Sequence, residues 1–166
     1  MVPETIESYE YDLNGNVAEI TQGGQVDELA WNEEDQLVSW KRNEAPQESY
    51  VYGADGMRRR KVTSAGTQQF VWDGDNVLRE VSPSGEVNHY SDYPRDWGGL
   101  TSQREVEDES SRFYVFDPSG NARMVLDSSG NVGQSFLSTA FGESVAGVNP
   151  TPFGFGGAVG YYDEAL

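Results

Sequence analysis

The sequence contains no cysteine and a single histidine, His89, among its 166 residues. Disulfides and thiolate zinc sites are therefore excluded, and a Ser-His-Asp or Cys-His catalytic arrangement has little to be built on. There is also no apolar run of about eighteen residues, the length that a membrane-spanning helix needs. We expect a protein that is not an enzyme and that uses no metal and no cofactor.

Basic residues are scarce, because 11 Lys and Arg stand against 28 Asp and Glu, for a formal net charge of -17. A surface this acidic repels phosphate backbones, so nucleic acid is not an expected partner. The one basic run, Arg58-Arg59-Arg60-Lys61, would alternate between the two faces of a strand and pair with neighbouring carboxylates. The first residues lack the basic and apolar regions of a signal peptide. We therefore expect either a cytosolic protein or an interior piece of a longer chain.

Glycine is abundant, with 19 residues, and much of it belongs to a recurring four-residue pattern. Asp, Asn, Ser or Gly comes first and Gly usually comes fourth, which suits a type I turn followed by a left-handed residue. Such a turn closes a hairpin with a bulge, and it requires a positive φ at the glycine. Copies begin at residues 12, 53, 73, 82, 117 and 127, with a degenerate copy at 32. Acidic turns could also bind calcium, but the spacing of an EF-hand is absent.

The spacing of these turns predicts strands and excludes helices. Copies at 12, 32, 53 and 73 lie about twenty residues apart, and other turn signals lie midway, so strands of about five to seven residues remain. Large side chains precede the turns as i, i+2 pairs that share one strand face. We predict an all-β fold of about twelve strands, an antiparallel meander of hairpins in a curved or spiralling sheet. The pairs are Tyr9/Tyr11, Leu29/Trp31, Tyr50/Tyr52, Phe70/Trp72 and Tyr114/Phe116.

The segment Tyr9-Glu10-Tyr11-Asp12-Leu13-Asn14-Gly15-Asn16-Val17 closely resembles the YD repeat, a Tyr-Asp-x-x-Gly-Asn/Arg-Val pattern. Residues 50–56 and 70–76 look like further copies, although Trp31 and Trp72 replace the repeat Tyr. Residues 114–132 are similar to the entry of the RHS-associated core. Pro152-Phe153-Gly154 stands in the place of the Pro-Phe-Gly element of that core.

The resemblance to YD/RHS-repeat proteins implies a sheet that spirals into a hollow shell. In bacterial polymorphic toxins and in the C subunits of insecticidal toxin complexes, such shells enclose a C-terminal toxin, and teneurins use a related shell in cell adhesion. The resemblance therefore implies a structural shell segment of a secreted or cell-surface protein. Its partners would be the rest of the parent chain and a toxin cargo. Aspartates of family self-cleavage are expected beyond Leu166.

Three alternatives stay open at this point. The aromatic face is interpreted as core, but it could instead bind a carbohydrate or a cell-surface partner; an enzyme is the most distant alternative. Uncovered sheet edges could also pair between copies. We expect one structural unit with repeat hairpins at 1–91, an irregular insertion at 92–110 and a core-like segment at 111–166. The motif positions given a structural role are Tyr11, Asp12, Gly15, Trp31, Tyr52, Gly56, Trp72, Asp73, Gly85, Phe116, Asp117, Gly120, Asp127, Gly130, Phe153 and Gly154.

Overall fold

The computed structural model describes residues 7–93, 98–139, 142 and 144–162. Within them the chain forms strands and one short 3₁₀ turn, Gly157–Val159, as the sequence predicts for an all-β fold. No helix in this part of the chain is long and apolar enough to cross a membrane. The strands are β1 (Glu7–Tyr11), β2 (Val17–Gln22), β3 (Gln25–Trp31), β4 (Leu37–Arg42), β5 (Ala45–Tyr52), β6 (Arg58–Thr63), β7 (Gly66–Asp73), β8 (Asn76–Val81), β9 (Val87–Asp92), β10 (Leu100–Glu105), β11 (Ser111–Phe116), β12 (Ala122–Leu126), β13 (Val132–Ser135), β14 (Leu137–Ser138) and β15 (Ser144–Ala146).

The strands are arranged as a meander. In the described residues, thirteen strands follow one another in sequence order through one sheet, and β14 pairs with β15 in a separate hairpin. The neighbouring pairs are antiparallel, as between β1 and β2 or β11 and β12. Each connection is short, which is why sequential strands become neighbours. The predicted antiparallel hairpin meander is confirmed.

Two kinds of turn connect most of these strands. In a wide turn, which spans five residues, the fourth backbone N–H donates to the first carbonyl and the first N–H donates to the fifth carbonyl. At 12–16 these hydrogen bonds are 3.2 and 2.8 Å long. The wide turns are 12–16, 32–36, 53–57, 82–86, 117–121 and 127–131. In a tight turn only two residues separate the strands, as at Gly23-Gly24 and Asn43-Glu44, where both φ values are positive.

The wide turns have the predicted left-handed residue and bulge. Positive φ is confirmed at the five glycines of the prediction, from 78° to 94°, and at the fourth residue of the degenerate copy, Asp35, with 58°. The strand pairing shifts by one residue beside the turn, between Glu10 and Tyr11 and again between Val115 and Phe116. A left-handed residue in a bulge accommodates the extra residue of the turn. The glycines are Gly15, Gly56, Gly85, Gly120 and Gly130.

One predicted copy of the turn pattern is wrong. Asp73 ends β7 and Asn76 begins β8, so Gly74 and Asp75 form a tight turn between them, with Gly74 at φ 57°. The physical reason is that Gly74 occupies the second position and can take a left-handed conformation at once, which suits a two-residue hairpin. The next wide turn therefore comes only at 82–86. The twenty-residue rhythm ends here.

The chain divides into two compact units, unit 1 (Met1–Gln69) and unit 2 (Phe70–Leu166). The single structural unit that the sequence suggests stays a prediction. Unit 1 holds β1 to β6, and its buried residues among positions 7–69 are Trp40, Tyr50 and Lys61. Unit 2 contains the hydrophobic core, made of Phe70, Val77, Tyr90, Leu100, Tyr114, Ala122, Val125 and Phe153.

The predicted irregular insertion at 92–110 is wrong for residues 100–105, which form β10 between β9 and β11. Leu100 and Gln103 of this strand are buried, so the apolar and amide side chains sit on the core face. The absence of a wide-turn motif beside this strand hid it from pattern reasoning. The proposed boundary between repeats and core-like segment near residue 111 stays a prediction.

Candidate functional site: the turn ladder and the aromatic core

In the wide turns that begin with Asp12, Asn32, Asp117 and Asp127, the side chain of this first residue fixes the turn. The Asp12 Oδ1 atom accepts hydrogen bonds from the backbone N–H groups of Asn14 and Asn16, both at 2.9 Å. These bonds, above all that from the Asn16 backbone, lower the pKa of Asp12, because they favour the charged carboxylate. The same bonds occur at Asp117 and Asp127. The aspartate carboxylate thus stabilises its own turn by accepting from the turn's backbone N–H groups, as expected for Asp at this position.

Successive wide turns in unit 1 also contact each other. The Asn16 side-chain N–H donates to Asp35 Oδ1 at 2.8 Å, and the Gln36 side-chain N–H donates to the Gly56 carbonyl at 3.1 Å. In each case the fifth residue of one turn reaches the fourth residue of the next turn. These bonds connect residues about one repeat apart in sequence and therefore fix the spacing of neighbouring hairpins.

The aromatic residue before each turn completes this contact. The Trp31 indole N–H donates to the Val17 carbonyl and the Tyr52 hydroxyl donates to the Leu37 carbonyl, both at 2.8 Å. Each acceptor is the residue directly after the preceding wide turn. An aromatic side chain that carries a hydrogen-bond donor suits this position, because the partly buried carbonyl needs a donor. We call the four hydrogen bonds between successive wide turns the turn ladder, which consists of Asn16, Val17, Trp31, Asp35, Gln36, Leu37, Tyr52 and Gly56.

The turn at 53–57 shows how the repeat tolerates Gly in place of its Asp. Asp55 instead accepts from the Met57 backbone N–H at 3.2 Å and forms an ion pair with Arg59. A Cβ at Gly53 would lie 2.6 Å from Asp55 Oδ1 and 2.8 Å from Arg59 Nε. Glycine at this position therefore leaves room for the ion pair between Asp55 and Arg59. The expected pairing of the basic run with carboxylates is confirmed for Arg59, and for Lys61 below.

Charged and aromatic groups share the buried face of unit 1. The Lys61 ammonium lies 2.9 Å from Glu48 Oε1, and both side chains are about nine-tenths buried. The Tyr50 hydroxyl donates to the other oxygen of the same carboxylate, and the Arg58 guanidinium lies 5.0 Å above the Tyr50 ring. Burial, followed by the hydrogen bond to Glu48, raises the pKa of Tyr50. The tyrosine therefore stays a hydrogen-bond donor.

Phe153 is the centre of the aromatic core in unit 2. Its ring lies edge-on to the rings of Tyr90, Tyr114 and Tyr162, with centroids 5.1, 6.1 and 5.5 Å away. Phe153 is 3% exposed. Edge-to-face contacts place the positive ring edge on the negative ring face and add to the gain from burial. The phenylalanine of the Pro-Phe-Gly element thus inserts between rings carried by β9 and β11.

Backbone hydrogen bonds hold the segment around Phe153 in place. The Ala122 N–H donates to the Gly154 carbonyl at 2.8 Å, and the Ala158 N–H donates to the Gly120 carbonyl at 3.0 Å. The Gly156 N–H donates to Asn121 Oδ1 at 2.9 Å. Residues 154–158 therefore dock on the wide turn at 117–121. The Gly120 carbonyl thus accepts from the docked segment, and the Gly154 carbonyl of that segment accepts from β12.

Polar groups inside unit 2 are paired. The Tyr90 hydroxyl donates to buried Glu80 Oε2 and the Tyr114 hydroxyl donates to buried Gln103 Oε1, both at 2.9 Å. The Gln103 side-chain N–H donates in turn to Asn88 Oδ1 at 2.8 Å. Burial raises the pKa of both tyrosines. A satisfied buried network of this kind specifies the packing of neighbouring strands.

Asp117 forms an ion pair besides its turn contacts. The Arg123 Nη2 and Nε atoms lie 2.7 and 2.8 Å from Asp117 Oδ2. The backbone bond from Asn121 is the largest cause that lowers the pKa of Asp117 to about 2. Arg123 also donates to the Ser138 hydroxyl at 3.2 Å. The arginine thereby connects the turn to β14.

No family model matches the chain. The tRNA3(Ser)-specific nuclease WapA of Bacillus spizizenii is 32% identical to it over an alignment of 149 residues, which covers 87% of this chain and 6% of that protein. Two solved structures match 91% of the chain at 15% identity. They are the crystal structure of TcdB2-TccC3-TEV, with a TM-score of 0.57, and the Photorhabdus luminescens Tc holotoxin pore, with a TM-score of 0.55.

The chain resembles YD/RHS-repeat proteins in its turn motifs, and its fold is that of the two matched structures. It spans 6% of the length of the nuclease relative and 11% and 10% of the matched structures' chains. The match at 15% identity concerns the fold alone, whereas the relative at 32% identity matches most of this chain in sequence.

The structure gives most of the YD motif positions a definite contact. Asp12, Asp117 and Asp127 cap their turns, Trp31 and Tyr52 belong to the turn ladder, and Phe153 fills the core. Tyr11 lies on β1 with 62% exposure. Trp72 and Phe116 pack beside the core. Functional roles for the motif positions beyond these contacts stay predictions.

Other important residues had no signal in the YD pattern. Tyr90, Glu80 and Gln103 are buried, but none of them belongs to the i, i+2 pairs that precede the turns. Along β9, buried Tyr90 lies between exposed His89 and exposed Ser91, and this alternation is the signal that could have found it. His89 lies on the opposite face of β9 and is exposed. The described residues contain no group of three or more His, Cys, Asp or Glu that could hold a metal ion.

Proposed function

We propose that the chain is a structural shell segment of a larger YD/RHS-repeat protein that houses or presents a C-terminal toxin or effector. The observation that supports this most is the regular turn ladder, because the same contacts recur from hairpin to hairpin and allow a sheet to be extended without new contacts. The likeness in fold to TccC3-containing toxin structures over 91% of the chain adds to it.

On this proposal the partners are the rest of the parent chain and its toxin cargo, and the parent protein is secreted or displayed at the cell surface. The nuclease activity in the name of WapA belongs to that protein, of which the matched part is 6%. The proposal assigns no catalytic residue to this chain. Its side chains act mechanically, by closing turns, joining hairpins and filling one face of a sheet.

The shell function can be tested in the natural protein that contains this chain. Limited proteolysis of that protein should leave the domain encoded after the repeats uncut while the shell is closed. Phe153→Ala should open unit 2 and make that domain sensitive to protease. Phe113→Ala, at a ring that is 44% exposed on β11, is the matched control and should leave the protection unchanged. Equal protection in all three proteins would refute the shell proposal.

A carbohydrate- or cell-surface-binding role is the second candidate. It is favoured by the exposed rings of Tyr9 and Tyr11, at 45% and 62%, on β1. A glycan array with the 166-residue chain tests it directly. Saturable sugar binding that is lost in Tyr11→Ala, without loss of folding, would support this role. Trp31→Ala should instead unfold hairpins, since the indole bonds to a backbone carbonyl.

A further inference from the structure

The sheet has two outer strands of opposite kinds. Within the described residues, β1 has β2 as its neighbour in the sheet and β13 has β12. The strand β1 precedes a wide turn, whereas β13 follows one. An outer strand presents backbone N–H and C=O groups on its free side, where another strand can add. The two outer strands are therefore candidates for pairing, and the turn ladder defines what each of them fits.

Between hairpins of unit 1, a strand that follows a wide turn always pairs with one that precedes the next wide turn. This is the relation of β2 to β3 and of β4 to β5. By position, β1 corresponds to β3 and β5, and β13 corresponds to β2 and β4. The free sides of β1 and β13 are thus the two halves of one established interface.

The correspondence extends to individual residues. The turn before β13 repeats the residues of the first wide turn, with Asn131 and Val132 in the places of Asn16 and Val17. The Val17 carbonyl is the one that accepts from the Trp31 indole. The counterpart of Trp31 at β1 is Tyr11, which is 62% exposed, and Val132 is 59% exposed.

We propose that β13 of one copy of this chain adds to β1 of a second copy, in the register of the turn ladder. The Tyr11 hydroxyl then donates to the Val132 carbonyl of the other copy. Asn131 reaches Gly15, just as Gln36 reaches Gly56 within the chain. The proposal identifies which strands carry the edge-to-edge association that the sequence suggests.

Charge favours this pairing over a symmetric one. Glu7 and Glu10 lie on β1, whereas β13 carries no charged side chain. Two β1 strands would bring these carboxylates together, and like charges across a strand pair are destabilising. Pairing of β1 with β13 avoids that repulsion. Because different surfaces meet, a chain whose β1 or β13 is blocked still offers the other outer strand to a second copy.

The interface is small. The Ser135 end of β13 is approached by Gly147, where an added Cβ would lie 2.2 Å from the Ser135 carbonyl oxygen. The part that remains for the second copy is Asn131 to Gly133, whose residues are exposed. Such a contact is smaller than the roughly 1,200 Å² of a stable complex. Association should be weak, and it should strengthen as salt screens the net charge of -17.

The test is a mixing experiment by sedimentation velocity at high protein concentration and high salt. A head-blocked chain carries Ser8→Pro or Tyr9→Pro, and a tail-blocked chain carries Val132→Pro or Gly133→Pro. Adjacent N–H groups of a strand point to opposite sides, one toward the neighbouring strand of the sheet and one toward the free side. A proline that removes the N–H on the free side breaks no hydrogen bond within the chain. In each pair, the variant with the melting temperature of the parent is therefore the one to use. Each blocked chain alone should be monomeric. Their mixture should form dimers, and the unaltered chain should associate under the same conditions.

If the prolines unfold the strands, a pair of milder substitutions on β1 tests the same interface. Tyr11→Phe removes the donated hydrogen bond and should weaken association about fivefold, while Tyr9→Phe on the same strand should not change it. A head-blocked or tail-blocked chain that still dimerises by itself would overturn the proposal. So would a parent chain that stays monomeric at every salt concentration, or Tyr11→Phe and Tyr9→Phe chains that associate equally.

Discussion

Unit 1 and unit 2 are built from the same turns but are held together by different forces. In unit 1 the buried face combines the Lys61–Glu48 ion pair with Tyr50 and Trp40, and the hairpins are joined by the hydrogen bonds of the turn ladder. In unit 2 a cluster of apolar and aromatic side chains is closed by Phe153. A regular repeat can thus be stabilised by a ladder of polar contacts, whereas an end that interrupts the rhythm acquires a conventional core.

The reason for the difference lies in the chain segments that follow the strands. Each hairpin of unit 1 contacts the next hairpin, so its rings lie beside backbone and charged groups. In unit 2 the segment 151–162 returns to the sheet and places a ring between Tyr90 and Tyr114. Covering the face in this way excludes water from it, and an apolar cluster becomes the favourable solution.

The largest effect is expected when Phe153 is removed. Phe153→Ala should destabilise unit 2 by about 4 kcal/mol, because it deletes a buried ring and leaves a cavity. Hydrogen exchange followed by mass spectrometry should show the loss in peptides of 70–162 and little change in those of 7–69. Phe113→Ala, at an exposed ring, should change stability by less than about 0.5 kcal/mol. Equal loss of protection in both units would mean that they do not unfold separately.

The ion pair of unit 1 should come next. Lys61→Met removes the cation beside the buried Glu48 carboxylate, which keeps the hydrogen bond from the Tyr50 hydroxyl. The variant should lower the free energy of unfolding by about 3 kcal/mol. The double variant Lys61→Met/Glu48→Leu should regain much of that loss, since no charge is left uncompensated. Denaturant titration of the single and double variants measures this. A double variant that is less stable than Lys61→Met would show that the pair contributes more than the burial of two apolar groups.

The turns should not distinguish the units. Gly15 in unit 1 and Gly130 in unit 2 have φ values of 91° and 82°, with nothing within 4 Å of an added Cβ. Gly15→Ala and Gly130→Ala should therefore each cost about 1–2 kcal/mol, the price of a left-handed alanine. Glu44→Gly, at φ 67°, is the control of opposite sign and should stabilise the tight turn slightly. If the loss of stability differed several-fold between Gly15→Ala and Gly130→Ala, the two turns would contribute unequally to the stability of the fold.

The sequence predicts the repeat architecture well because its turns are encoded locally. Asp12 and Gly15 act within five residues of each other, so their pattern alone specifies the wide turn. The turn pattern predicts a wide turn at Gly74 because wide and tight turns use the same residue types, and only the position of the glycine differs. The pattern does not predict β10, because no wide-turn motif lies next to this strand. The contacts of Phe153 with Tyr90 and Tyr114 connect segments far apart in sequence, so no local pattern predicts them.

Acid should weaken the docking of residues 154–158 in unit 2 through Asp117. The pKa of its carboxyl is lowered to about 2 from 3.8, so the folded state favours the charged form. The stabilisation is complete above about pH 4 and is lost as the pH falls through 4 toward 2. Asp117→Asn should keep the turn, because Asn32 makes the same bonds at 3.0 and 2.9 Å with an amide oxygen. The variant should be less stable than the parent at neutral pH and should lose less stability between pH 4 and 2 in urea titrations. Parallel pH profiles for the two proteins would mean that Asp117 and Arg123 do not couple the turn to the stability of unit 2.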